Sequence, residues 1–217
     1  MSVSKNRYKI SSDISTRRMH GAGKGIAFVI CGPSGAGKNS VIKRVMEILP
    51  GLSFSVSYTT RPRRAEEHAG VDYNYISQQE FDRLIADGEL IEHVTYLGDR
   101  YGTSRAQIEE VFIRGEDVIL NIDVTGARRL RQKGLVDFPA VYIFLTPSSL
   151  DQLHDRLKIR GTEDKNEIKR RLNVAKEEMD ALWLFDYLVI NDEFEVAVDE
   201  LRSIIITERC RLVDDHG

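Results

Sequence analysis

Short apolar runs rich in β-branched residues recur along the chain, each followed by a longer stretch of helical period. The runs are Ile26–Cys31, Phe54–Tyr58, Val118–Asp123, Ala140–Leu145 and Tyr187–Ile190. After the first, Val41, Ile42, Val45, Met46, Ile48 and Leu49 keep one helical face apolar until Pro50-Gly51 stops it. Val196, Ala197, Leu201, Ile204 and Ile205 repeat that period near the end and predict a helix packed on the core. Strand and helix in alternation predict an α/β domain, a parallel sheet flanked by helices.

Two segments break the alternation. From Pro62 to about Thr103 the chain is Tyr-rich, with alternating pieces Val71–Ile76 and Leu90–Val94 around a helix-like Ser77–Ala86, and it predicts an inserted small β-rich lobe. Arg156–Arg171 is highly charged with little apolar surface to anchor it, which predicts a mobile helical lid. Residues 1–24 hold Lys5, Arg7, Lys9, Arg17, Arg18 and Lys24 against the single acid Asp13. The expectation is a flexible basic tail. Its acid-poor composition also suits an organelle transit peptide, but an apolar face is missing.

Composition narrows the class. With 217 residues and 41% apolar content, the chain can bury a core. A net charge of −3 from 31 basic and 34 acidic residues offers no overall basic field for nucleic acid. No apolar run approaches the ~18 residues of a membrane span, so a cytoplasmic protein with no membrane partner is expected. Cys31 ends an apolar run and Cys210 lies in a late amphipathic stretch, without CxxC spacing, and no disulfide is expected. His20, His68, His93, His154 and His216 lack the spacing of a zinc site.

Chemistry enters at Gly32-Pro33-Ser34-Gly35-Ala36-Gly37-Lys38, which follows a strand and opens a helix. Glycines let the backbone curl so that N–H groups point at phosphate oxygens, and the helix adds its positive end. Lys38 supplies a point charge for β- and γ-phosphates, so the loop from Gly32 to Ser40 is expected to hold a nucleoside triphosphate. The residue after the lysine in this motif is usually Ser or Thr, whose hydroxyl binds magnesium; here it is Asn39. An amide oxygen is also a hard ligand, and Ser40 follows, so the Mg2+ accompanying ATP could be held directly or through water.

After the second strand come Ser57, Thr60, Arg61, Arg63, Arg64, Tyr73 and Tyr75, a set suited to a phosphate-bearing base, or else a solvated basic turn. Ser57-Tyr58-Thr59-Thr60-Arg61 and Gly70-Val71-Asp72-Tyr73, read with Leu90-Ile91-Glu92-His93 and Tyr101-Gly102-Thr103-Ser104, resemble the guanylate kinase family. The likeness spans about residues 25–206, leaving 207–217 as helix end and tail. It implies a P-loop core of 25–60, 104–155 and 172–206, a GMP-binding insert over 61–103 and a lid over 156–171.

The resemblance also implies roles. Arg61, Arg64, Tyr73 and Tyr101 would hold the GMP phosphate, while Ser57, Glu92 and Thr103 face the guanine. A carboxylate accepts from the guanine N1–H and 2-amino group, a donor pair adenine lacks; a surface glutamate is the alternative for Glu92. The family places a proline just before its second arginine, whereas this chain reads Arg61-Pro62-Arg63-Arg64, so Arg63 competes with Arg64. Acids usual at both 121 and 123 are here Asn121 and Asp123, which leaves Asp123 for metal-bound water or the nucleoside, or for capping the next helix. Arg156, Arg160 and Arg171 would join Lys38 in catalysis as lid arginines, unless they pair with Asp155, Glu163 or Glu167. Asn191 would contact the adenine of ATP.

The implied activity is transfer of the ATP γ-phosphoryl to GMP or dGMP, by a monomer or homo-oligomer. A non-catalytic module of the same fold, or a P-loop kinase with another acceptor, are the alternatives.

Overall fold

A computed structural model describes residues 25–96, 98–133, 138–160 and 165–211. The basic tail 1–24, Glu163 and the Arg160 side chain lie outside the described residues. Among the described residues no helix is long and apolar enough to cross a membrane.

Five parallel strands form the main sheet. Its centre is β1 (Ala27–Cys31), and the next labels follow chain order: β2 (Leu52–Phe54), β3 (Tyr58–Thr59), β4 (Asn74–Tyr75), β5 (Leu90–Tyr96), β6 (Asp99–Ser104), β7 (Asp117–Asn121), β8 (Ala140–Thr146) and β9 (Tyr187–Ile190). The order across the sheet is β2-β7-β1-β8-β9. Ala27 stands opposite Val118 on one side and Ala140 on the other.

The helices are α1 (Lys38–Ile48), α2 (Gln78–Ala86), α3 (Arg105–Ile113), α4 (Val124–Lys133), α5 (Leu150–Arg160), α6 (Lys165–Met179) and α7 (Phe194–Arg209). Side chains alternate across a strand, so β1 feeds two cores. Ile26, Phe28 and Ile30 pack with Val41 and Val45 of α1 and Leu201 and Ile205 of α7. Ala27, Val29 and Cys31 pack with Ile108 and Phe112 of α3 and Leu130 of α4. Each such large aliphatic side chain contributes about 1.5–3 kcal/mol through burial.

The expected strand Phe54–Tyr58 is divided between two sheets. Ser55 N–H still bonds the Ile119 carbonyl at 3.0 Å, but Val56 N–H goes to the Gln107 side chain at 3.1 Å. Freed from β7, the backbone pairs Tyr58 with Gly102 in a second sheet of order β4-β3-β6-β5. This sheet is the inserted lobe, and it begins before the anticipated boundary at 61. Within Val71–Ile76 only Asn74 and Tyr75 are strand, because the preceding residues turn back on themselves. His68 N–H bonds the Asp72 carboxylate at 2.8 Å there. The helix expected from Ser77 forms as α2, closed by a capping box between Ser77 and Glu80.

The charged segment 156–171 spans the end of α5 and the first half of α6. It has more anchorage than its composition suggests: Leu153, Leu157, Ile168 and Ala175 make a small apolar cluster between the two helices.

Asp117 fastens α7 to the sheet. Its buried carboxylate accepts from Ile26 N–H at 2.8 Å and from Arg209 Nε at 2.7 Å. Asp117→Ala removes both acceptors and leaves the Arg209 guanidinium only the Pro50 and Gly51 carbonyls, so it should cost about 2–4 kcal/mol in urea unfolding. A loss below about 1 kcal/mol would mean that the clasp is dispensable.

Candidate active site

All five core strands end on the same side, where open α/β sheets place their ligands. The β1 end runs into the glycine loop. Gly32 lies so close to β8 that a Cβ there would sit 1.9 Å from the Leu145 carbonyl oxygen, at a φ of 139° that favours glycine. Gly37, at φ 88°, caps α1 and turns the chain into the helix. Ala36 is buried beneath the loop. Lys38 Nζ donates to the carbonyls of Gly32 and Pro33, arching over the loop, and desolvation lowers its pKa.

The loop is braced from behind. Asn191 is 4% exposed, and its Nδ2 donates to the Ala36 carbonyl at 2.7 Å. Arg156 donates to the Asn191 carbonyl at 2.5 Å and to that of Ala36 at 3.4 Å. Arg171 of α6 reaches the Ser34 hydroxyl at 2.5 Å and Glu167 at 3.1 Å. Two of the three expected lid arginines therefore touch the loop or its brace, and the pairing anticipated between Arg171 and Glu167 exists as well. Asn191, expected at the adenine, sits behind the loop rather than on the wall of the cleft in front of it.

That cleft has a volume of about 810 Å³ and runs from the loop to the inserted lobe. Gly32, Ser34, Gly35, Gly37, Lys38, Asn39 and Ser40 line one end, and Ser57, Arg61, Arg64, Tyr73 and Tyr101 the other. Glu67, not foreseen as a site residue, organises the far end. Its carboxylate accepts from Arg61 at 2.6 Å, the Arg64 N–H at 2.9 Å and the Tyr75 hydroxyl at 2.7 Å. Burial alone would raise its pKa, but these donors bring it down to about 2. Burial likewise opposes the charge on Arg61, and Glu67 outweighs it, so Arg61 stays cationic. The Arg61 guanidinium also lies 5.4 Å from the Tyr73 ring centre. Arg64 lines the cleft; Arg63 is exposed and donates to the Glu67 carbonyl.

Glu92 is no surface glutamate. It is 5% exposed on β5, its Oε1 accepts from the fully buried Thr103 hydroxyl at 2.6 Å, and its Oε2 has no partner among the described residues. Burial pushes its pKa up to about 7, against the pull of the Thr103 hydrogen bond. Asp123 takes both of its anticipated positions: Oδ1 accepts from Gly126 N–H at 2.6 Å, capping α4, and the side chain still lines the cleft. Burial raises its pKa too.

The two amides at unexpected positions meet each other, with Asn121 Nδ2 donating to Asn39 Oδ1 at 2.7 Å. Among the described residues no three His, Cys, Asp or Glu side chains converge as a metal cage.

The family model described as guanylate kinase matches residues 24–208. The chain belongs to the guanylate kinase family. It is 43% identical over 189 residues to the guanylate kinase of Oceanobacillus iheyensis, covering 87% of this chain and 90% of that one. With the guanylate kinase of Symbiobacterium thermophilum the identity is 44% over 191 residues, covering 88% and 89%. The crystal structure of guanylate kinase from Anaplasma phagocytophilum superposes with a TM-score of 0.72 at 28% identity, over 87% of this chain and 88% of that one.

Within this guanylate kinase fold, sequence reasoning missed Glu67, Tyr96 and Glu178, all of which line the cleft. Glu178 carried a faint signal, since it follows Arg171 by seven residues on one face of α6.

The buried Glu92 has a consequence for stability. The folded chain keeps a proton on it that the unfolded chain loses, between the ordinary 4.5 and about 7. Its contribution is harmless in acid and becomes a penalty as pH rises through that window. Ligand-free Glu92→Gln should therefore be more stable than the parent at pH 8 by about 1–3 kcal/mol, with the gap closing toward pH 5 in urea titrations. A gap independent of pH would show that the carboxyl does not titrate there.

Proposed function

We propose that the protein is an ATP:GMP phosphotransferase, converting ATP and GMP, or dGMP, to ADP and GDP, or dGDP. The observation that supports this reading is the cleft shared by the phosphate loop and the Arg61–Arg64–Tyr73–Tyr101 cluster, with anion-binding groups at both ends.

The loop N–H groups, the α1 N-terminus and Lys38 hold the ATP phosphates, with Lys38 exchanging loop carbonyls for phosphate oxygens. Arg61, Arg64 and the two tyrosines hold the GMP phosphate, and Glu67 pre-orients the guanidinium groups. Glu92 accepts from guanine N1–H and the 2-amino group, with Thr103 and Ser57 beside it. An adenine there would leave the carboxylate unpaired, a loss of orders of magnitude in kcat/KM.

A GMP phosphate oxygen attacks the γ-phosphorus in line. The bond to the ADP β-phosphate oxygen breaks, and ADP departs with the bonding pair. Lys38, Arg156 and Arg171 stabilise charge gathering on the moving group, while α5 and α6 exclude water that would hydrolyse ATP. Arg160 is assigned to the same role through the resemblance alone.

The donor set fits a magnesium ion that arrives with ATP: the oxygens of Asn39 and Ser40 would hold it and Asp123 would act through its water, and among the described residues no cage of acidic or imidazole side chains would bind it first. Bound magnesium would offset charge on the ATP phosphates.

A coupled assay of ADP release tests the reading. Turnover with GMP and dGMP should exceed that with AMP or UMP by at least ~100-fold. Glu92→Gln should lower kcat/KM for GMP by about 100-fold while shifting the KM for ATP less than about threefold. Folded protein that turns over none of the four acceptors overturns the assignment, and equal rates on AMP remove the role of Glu92.

A further inference from the structure

Near the C-terminal end of α6, Glu178 is 8% exposed, borders the same cleft as Lys38, Asn121 and Asp123, and leaves Oε2 without a partner among the described residues. A buried carboxylate with an unpartnered oxygen is costly, and the helix gains nothing from it that Gln or Leu would not supply. Lys38 favours the charged carboxylate only in part, since burial still dominates and two ammonium hydrogen bonds go to the Gly32 and Pro33 carbonyls. The charge is nevertheless felt there, as Glu178 is the largest charged influence on Lys38.

The surroundings say what such a carboxylate is for. Asn121, at the end of β7, is neutral and occupied with Asn39 at 2.7 Å, so that corner of the site supplies no negative charge. Asp123 supplies one carboxylate from the sheet, and Glu178 stands among Lys38, Asp123 and Tyr96 from the side of α6. No three acidic or imidazole side chains converge closely enough among the described residues to ligate a cation directly. A carboxylate that borders such a site without joining a ligand cluster can act on a hydrated cation through its water.

Resting on the ATP-donor reading above, we infer that Glu178 belongs to the phosphoryl-transfer site, accepting hydrogen bonds from the water shell of the divalent cation carried in with ATP. On this reading it is a positioning residue, acting on the cation's water and through it on the donor. It also gives α6 a double hold on the donor: Arg171 on the loop through Ser34, and one helical face further along, Glu178 on the hydrated cation.

The test measures cation binding rather than turnover. Mn2+ is titrated by electron paramagnetic resonance into protein saturated with a non-hydrolysable ATP analogue, and analogue binding is measured separately in EDTA. Glu178→Gln should weaken Mn2+ binding about tenfold and leave binding in EDTA within about twofold. Glu178→Asp, which keeps the charge but withdraws it by one methylene, should lose less and covers the case in which the amide disturbs folding. Mn2+ affinity unchanged in both variants overturns the inference. So does an equal loss in EDTA, which would place the effect on Lys38 or the helix. Wild-type protein that binds no analogue removes the donor-site reading and this inference with it, whereas wild type that binds analogue and Mn2+ without help from Glu178 removes this inference alone.

Discussion

Everything functional hangs from β1, hydrogen-bonded on both edges and buried on both faces. With β7 and β8 in parallel on either side, its C-terminal end cannot shift without breaking two ladders and two apolar cores. The loop that follows inherits that rigidity. It presses its first glycine against the Leu145 carbonyl, and the Asn191 amide, carried in at the end of the last strand, pins Ala36 from behind. Phosphate recognition by backbone N–H groups needs donors fixed in advance, and the centre of a buried sheet is where a chain can be held so still.

The acceptor end is built differently. Its sheet is small and its strands short, and polar contacts do much of the ordering that apolar packing does in the core. Glu67 is the clearest case: one carboxylate gathers two arginines and a tyrosine, keeping cationic groups spaced for a phosphate instead of repelling one another. Glu92 is the opposite device, a carboxylate whose second oxygen is left without a partner among the described residues, in a setting that penalises it. Burial works against the charge on Glu92 and Glu178 alike, so both carboxylates cost stability in the ligand-free fold.

Asn39 and Asn121 looked in the sequence like two separate irregularities. In the fold they are a single feature, a hydrogen bond between two neutral amides that joins the first turn of α1 to the end of β7. Asp123 from the sheet and Glu178 from α6 bring carboxylates to the same cleft.

Period and punctuation determined much of this protein directly. Strands β1, β7, β8 and β9, the helix after the loop, the phosphate motif and the capped α2 were all legible, because each depends on residues close together in the chain. Glu92 was legible as a candidate only through family resemblance, since one glutamate in an alternating strand has no local mark of burial. Tertiary structure alone decided the division of Phe54–Tyr58 between two sheets, which turns on a hydrogen bond from Val56 to Gln107, 51 positions away. It alone decided that Asn191 braces the loop, that Glu67 orders the arginines and that Glu178 faces Lys38. Those outcomes depend on distance in space between residues remote in sequence, and spacing along a chain carries no record of what packing brings together.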